Sequence, residues 1–375
     1  MKVLVFGHMY TEPIHREKFR YICDSGDFEI RVVVPHLWRH TLCNYEFKPA
    51  QDAEEFQIIP CRISFSGDYF RFYYRNVSRI IKEYKPDIIE IDQEPVSKAC
   101  IDIISKAKKI VPLSKIVVWT SEDTIKKRRF PFSRYERYNL SKIDHIIACN
   151  LSVEKLLRKK GYKGKISVFQ FLGTSPDIFK KFNVEYLREK LGLANQFVVG
   201  YVGRLSEGKG LFTLAKAFSF LNTNYRLLIV GKGELQDKLM SLARNLSIEK
   251  KIIFTGAVKH EEVAKYINCM NVLILPSEGT KDWQEKFGYV IPQAMLCEVP
   301  VIGSRHGGIP EVIADAGRMF EPGNVQDLVR GISRMKNDVN LRKRYIQEGK
   351  QRALNNYTVK IVAQKIMNIY RRLFD

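Results

Sequence analysis

Short runs rich in β-branched residues alternate with helical patterns along the whole chain, and this rhythm restricts the fold more than any single motif. Strand candidates in the first half are Val3–Phe6, Glu29–Val34, Asp87–Ile91, Ile116–Trp119, His145–Ala148 and Ile166–Phe169, with helical stretches such as Tyr74–Tyr84 and Val153–Lys160 between them. The rhythm restarts at Phe197–Val202 and continues through Arg226–Val230, Ile252–Phe254, Val272–Leu275 and Val301–Gly303. Strands that each return through a helix run parallel and need helices on both faces. Two consecutive α/β units follow, each a Rossmann-like domain.

A chain of 375 residues suits two cores of ordinary size. Between the two rhythms, residues 171–195 interrupt the pattern with Gly173, Ser175 and Pro176, so they are expected to be a linker between domains at 1–170 and 196–355. Residues 356–375 form a last amphipathic helix, expected to pack back on the N-terminal domain.

The N-terminus MKVLVFGHMY has too short an apolar run for a signal peptide, and no stretch approaches the ~20 apolar residues of a spanning helix, so a cytoplasmic protein is expected. Seven scattered cysteines without a C-x-x-C pair read as reduced thiols. His36 and His40 stand four apart but follow a β-rich run and lack an intervening Glu, so they read as loop histidines and no metal is expected. The net charge of +21 calls for an anionic partner. Within the first half the excess lies in residues 101–165, which hold 17 basic and 6 acidic side chains.

Three strand-to-helix segments in the second half carry the chemistry. VGRLSEGKG (202–210) places Gly203, Gly208 and Gly210 where backbone N–H groups can approach an anion, with Arg204 and Lys209 adding charge. Read alone, an ordinary βα turn with exposed basic residues explains it equally well. After Val272–Leu275 come Pro276, Ser277 and then EKFGYVIPQAMLC (285–297), where Pro292 requires the helix to begin near Tyr289 and leaves Glu285 in the preceding loop. The third segment, GSRHGGIPE (303–311), again joins a strand to a helix, with Pro310 and Glu311 suited to its first turn. Three such loops at one sheet edge make an anion site a better explanation than three separate turns.

In this order and at these separations, VGRLSEGKG, PS, EKFGYVIPQAMLC, PVIGS and GGIPE resemble glycosyltransferase family 4, the retaining group 1 glycosyltransferases of the GT-B fold. The resemblance covers roughly 196–330. It implies two Rossmann-like domains whose parallel sheets face an interdomain cleft. It makes Arg204 and Lys209 the clamps on the diphosphate of a nucleotide-sugar donor, and Glu285 the ligand of the transferred sugar's hydroxyls. Gly203 and the backbone of Phe287, Gly288 and Tyr289 become further phosphate contacts, and the loop ending at Val258 lies along the base. Where the family has a second Glu for the ribose, this chain has Gln293, which lacks the strength of a carboxylate.

The N-terminal half departs further from the family. The segment resembling its loop histidine is VWTSED (118–123), where Glu122 or Asp123 is expected to face the acceptor, and Glu122 joins Arg204, Lys209 and Glu285 as a catalytic candidate. The Gly-rich turn after the first strand is reduced to Gly7 and His8, also placed on the acceptor side. The family implies metal-independent front-face transfer without a cofactor, to a glycan or lipid-linked acceptor in polysaccharide or glycolipid synthesis. The aromatic and basic run from Lys126 to Arg137 suits an anionic membrane surface, although a solvated face explains it as well, and no nucleic-acid signature is present. Competing readings are an inactive nucleotide-binding subunit and, behind it, an epimerase or phosphorylase on the same fold. GHMYTEP after the first strand disfavours an NAD-dependent enzyme.

Overall fold

The computed structural model describes the chain except for residues 40–43, 48, 50–54, 125–127 and 282, so His40, Cys43, Lys126 and Lys127 lie outside the described residues. The chain divides into two compact units, Met1–Gly173 with Val359–Asp375, and Thr174–Thr358.

The N-terminal unit is built on a seven-stranded parallel sheet: β1 (Lys2–Gly7), β2 (Glu29–Pro35), β3 (Gln57–Cys61), β4 (Ile88–Asp92), β5 (Lys115–Thr120), β6 (His145–Ala148) and β7 (Lys165–Val168). Their order across the sheet is β7-β6-β5-β4-β1-β2-β3, so the winding reverses between β1 and β4. Leu4, Phe6, Ile89, Ile91, Ile116 and Val118 are fully buried, as expected of strands covered on both faces. The edge strand β3 escapes the sequence pattern because it is five residues long and contains Pro60, which only an edge tolerates. The helix expected from Tyr74 begins instead at Val77: Tyr73–Tyr74 pair with Ile63–Ser64, and Asn76 turns into the left-handed region.

One strand breaks the apolar rule. Glu90 and Asp92 are buried in β4, at 1% and 3% exposure. Lys18, also buried, lies 3.5 Å from Glu90 and donates to the Tyr10 hydroxyl at 2.6 Å, and Tyr10 in turn donates to Asp92. Tyr370 of the last helix, Val359–Arg371, donates to Glu90 at 2.6 Å. Buried charge persists only when paired and bonded in this way. Burial still lowers Lys18 to about 8 and raises Asp92 well above the usual carboxylate range. The same helix buries Val362, Ile366 and Tyr370 in this unit, and Arg371 bonds Asp27 at 2.6 Å.

The second unit carries β8 (Phe197–Val202), β9 (Tyr225–Val230), β10 (Ile252–Gly256), β11 (Val272–Leu275), β12 (Val301–Ser304) and β13 (Arg318–Phe320). All pair in parallel in the order β10-β9-β8-β11-β12-β13, which reverses between β8 and β11. The three-residue edge strand β13 is too short to show a period. Residues 174–195 fold with this unit and are not a bare connector: Phe179 and Leu193 are buried in its core, and Arg188 bonds the carbonyls of Cys269, Leu193 and Gln196.

His145 opens β6 at 8% exposure and bonds Ser167 at 2.9 Å, and burial with Lys165 and Arg372 nearby lowers it to about 4. The unfolded chain takes up this proton near 6.5, so the N-terminal unit is expected to lose stability as pH falls from 6.5 toward 4. Urea midpoints measured across that window should fall for the wild type and flatten for His145→Asn; an unchanged slope would refute the assignment.

Candidate functional site

Parallel strands deliver their C-terminal ends to one edge, and in the second unit the loops at that edge are laced together. Gly203 N–H donates to the Val230 carbonyl at 3.0 Å and Leu205 N–H to Lys232 at 3.1 Å, tying the loop after β8 to the loop after β9. Gly231 N–H reaches the Gly256 carbonyl at 2.9 Å, which adds the loop after β10. On the other side, Glu278 and Gly279 N–H both donate to the Gly208 carbonyl, at 2.8 and 2.9 Å. Gly308 N–H donates to the Glu285 carbonyl at 2.8 Å, and the Ser304 hydroxyl to the Ser277 carbonyl at 2.5 Å. The loops after β8, β11 and β12 are thereby one assembly at the reversal of winding, where open α/β sheets bind ligands.

At its centre Lys209 Nζ meets Glu285 Oε2 at 2.7 Å, and Ser277 Oγ donates to the same oxygen at 3.1 Å. The pair is mostly withdrawn from solvent, with side-chain exposures of 19% and 11%. The ammonium lies 4.3 Å from the centroid of the Trp283 ring, a cation–π contact that fixes its second face. Trp283 is absent from the sequence-derived set because nothing in its neighbourhood marks it. Both of these contacts fall on Oε2. Tyr201, beneath the loop, donates to the Arg204 carbonyl at 2.8 Å; burial, with Glu285 nearby, raises its phenol far above the ordinary range. The Arg204 side chain itself is exposed.

The helix after β11 is Val290–Leu296, capped at Tyr289, so Pro292 falls in its first turn and Gln293 just past it. Gln293 is half-buried. Gly288 takes φ +78°, and Phe287 is buried with its ring 5.2 Å from that of Tyr289. Val258 packs at the edge of the core.

A second site lies in the N-terminal unit, at the C-terminal ends of β1, β4 and β5. A cavity of about 370 Å³ opens there, lined by His8, Trp38, Tyr69, Asp92, Glu94 and Trp119 among others. Gln93 bonds His8 Nδ1 at 2.6 Å, and the imidazole lies 4.7 Å from Trp38 and 5.4 Å from Tyr69. With the amide as donor, Nδ1 is the acceptor. Glu94 accepts from the Ser121 N–H at 3.0 Å, the Ser121 hydroxyl at 2.9 Å and the Thr120 hydroxyl; burial nonetheless raises it above the usual carboxylate range.

Of the residues expected on this side, His8 lines the cavity and Gly7 ends β1 beside Asp92. Glu122 is turned elsewhere: it accepts from Arg128 and, at 2.8 Å, from Lys160, which also pairs with Glu136 at 2.6 Å. Two cations neutralise this carboxylate, and neither it nor Asp123 is among the described residues that line the cavity. The acids that do, Asp92 and Glu94, are legible in retrospect as polar residues ending the apolar run of β4.

Among the described residues no group of His, Cys, Asp or Glu is arranged to hold a metal ion, and no helix is long and apolar enough to cross a membrane.

Residues 183–352 match the family model described as Glycosyl transferases group 1. The chain is 27% identical over 240 residues to the capsular polysaccharide biosynthesis glycosyltransferase CapM of Staphylococcus aureus, covering 60% of this chain and 58% of that one. It is 30% identical over 176 residues to the N-acetylgalactosamine-N,N'-diacetylbacillosaminyl-diphospho-undecaprenol 4-alpha-N-acetylgalactosaminyltransferase of Campylobacter jejuni, covering 46% of each. The chain thus spans about half the length of these curated relatives. The structure of Anabaena Alr3699/HepE in complex with UDP superimposes with a TM-score of 0.78 at 19% identity, over 99% of this chain and all of that one. The fold is GT-B, two Rossmann-like units with parallel sheets.

The lacing of the loops depends on glycine where backbones touch. Gly210 takes φ +68°, and a Cβ there would stand 1.8 Å from the Pro276 carbonyl oxygen; Gly256, at φ +72°, faces open space. Gly256→Ala should therefore cost only the left-handed penalty of ~1–2 kcal/mol. Gly210→Ala should cost clearly more, because the loop after β11 must also move. Urea unfolding that gave equal losses would contradict this account of the loop.

Proposed function

Since residues 183–352 belong to the group 1 glycosyl transferases, we propose that the protein is a retaining, metal-independent glycosyltransferase of family 4 type. It moves a sugar from a nucleoside-diphosphate sugar to a glycan or lipid-linked acceptor in polysaccharide or glycolipid synthesis, and needs no cofactor. The observation that carries the reading is the Lys209–Glu285 pair, braced by Ser277 and Trp283 between the loops after β8 and β11.

In this reading Lys209 and Arg204 hold the diphosphate and stabilise the charge that develops as it departs, which is where fixed cations lower a barrier most. Glu285 keeps Lys209 oriented through Oε2 and offers Oε1 to a hydroxyl of the transferred sugar. Gly203, Phe287, Gly288 and Tyr289 present backbone to the phosphates, and Val258 flanks the base. Gln293 bonds the ribose with an amide in place of the family's carboxylate. A leaving-phosphate oxygen takes the acceptor proton, so no protein nucleophile is required. UDP is the first nucleotide to test, because the Anabaena neighbour was solved with it.

The acceptor side belongs to the cavity of the N-terminal unit, where Asp92 and Glu94 take the place given to Glu122 and Asp123. The basic surface around Arg129 and Arg134, with Phe130 at 79% exposure, suits docking at the inner face of an anionic membrane. Gln293 also favours a second reading, a nucleotide-binding subunit with little turnover.

UDP-, GDP- and ADP-sugars should be scored by thermal stabilisation, donor hydrolysis with and without EDTA, and the anomeric form of the product. One nucleotide should stabilise the protein, and Lys209→Ala or Arg204→Ala should weaken that binding at least ~10-fold. Unaltered affinity in both variants would remove the donor-site assignment, whereas binding without turnover would favour the subunit reading. Gln293→Glu should shift nucleotide affinity without changing the unfolding midpoint of the free protein.

A further inference from the structure

The cavity of the N-terminal unit has a charge character opposite to that of the chain. The protein carries 62 Lys and Arg, yet none of them is among the described residues that line this cavity. Three carboxyls do line it: Glu12, Asp92 and Glu94. The walls are aromatic, with Trp38, Tyr69 and Trp119 presenting ring surface, and His8 packs tilted against Trp38 at 4.7 Å and edge-on to Tyr69 at 5.4 Å.

Unmet hydrogen-bonding capacity gathers at the same place. Asp92 Oδ1 and the indole nitrogens of Trp38 and Trp119 are buried and lack a partner among the described residues, and all three residues line the cavity. Asp92 is 3% exposed, and its other oxygen is held by Tyr10. Buried polar atoms without partners are few in folded proteins, so three around one cavity point to a polar occupant.

We propose that this cavity is an acceptor subsite for a pyranose ring that carries no anionic group, either neutral or amine-bearing; this rests on the transferase reading above. Ring C–H faces pack on the indoles and Tyr69, and hydroxyl or ammonium groups donate to Asp92 and Glu94. Both carboxyls are raised by burial, which a cation or a donor relieves and a further anion aggravates. A uronate or sugar phosphate would enter beside two buried acids with no lysine or arginine to receive it. At about 370 Å³ the cavity lies at the small end of ligand pockets, the scale of one or two rings. Anionic lipid and acceptor sugar would then engage different surfaces, the first basic and the second acidic.

The chain has three tryptophans, and Trp283→Phe leaves only Trp38 and Trp119, both in the cavity wall. Emission of this full-length variant should be titrated with methyl glucoside, methyl glucosaminide and methyl glucuronide, which differ at one group each. The first two should shift the emission saturably, and the glucuronide should bind at least ~10-fold more weakly. Tyr69→Ala, a change at the exposed rim, should weaken the first two several-fold in the Trp283→Phe background and, made alone in the wild-type chain, should leave nucleotide affinity unchanged. Glu94→Gln should narrow the discrimination against glucuronide. Glucuronide binding as well as the glucoside, or no response to any of the three, overturns the proposal. Nucleotide binding by the wild type, scored over UDP, GDP and ADP, is a separate readout: its absence for all three removes the transferase reading, whereas glucuronide preference with nucleotide binding intact removes only this one.

Discussion

Parallel strands cannot be joined by tight turns; each must return through a crossover, so every strand reaches the same edge pointing the same way. Everything functional in this molecule follows from that constraint. In the second unit it gathers the loops after β8, β11 and β12, and a single partly buried ion pair, Lys209 with Glu285, joins two of them across the point where the winding reverses. In the N-terminal unit the same edge collects His8, Asp92, Glu94 and Trp119 from the ends of β1, β4 and β5. Neither site needs a dedicated element; both use ends that the sheet supplies.

The two edges differ in what they do with charge. The second unit spends cations on its loops and balances one of them with a carboxylate. The first unit hides acids inside the strand that leads to its cavity and stabilises them with a chain of partners, Tyr370, Lys18 and Tyr10. A buried lysine lowered to about 8 shows how near balance that chain stands.

Most of the architecture could be read from residues because the central strands are apolar on both faces and bounded by glycine and polar turns. Edge strands β3 and β13 could not, one because of Pro60 and its length, the other because three residues carry no period. The loops after β8, β11 and β12 were legible as strand-to-helix turns because glycines and prolines at fixed spacing restrict their backbone. The surroundings of the N-terminal cavity were not. Glu122 and Asp123 are acids in a plausible loop, but only the fold shows Arg128 and Lys160 closing on Glu122. Asp92, Glu94 and Trp38 carry no motif of their own; their shared cavity depends on long-range packing that local pattern does not record.

The helix Val359–Arg371 belongs to the first unit although the whole second unit precedes it in the chain. During synthesis the ribosome therefore delivers β1 to β7 long before Tyr370 arrives to meet Glu90, and buried acid and lysine must wait for one of their partners. A nascent chain covering residues 1–173 holds a sheet whose covering layer is incomplete, so separate expression of that stretch would expose Phe28 and the surface that Ile366 and Tyr370 cover. Completion of the first unit is in this sense a report that the second has already been made.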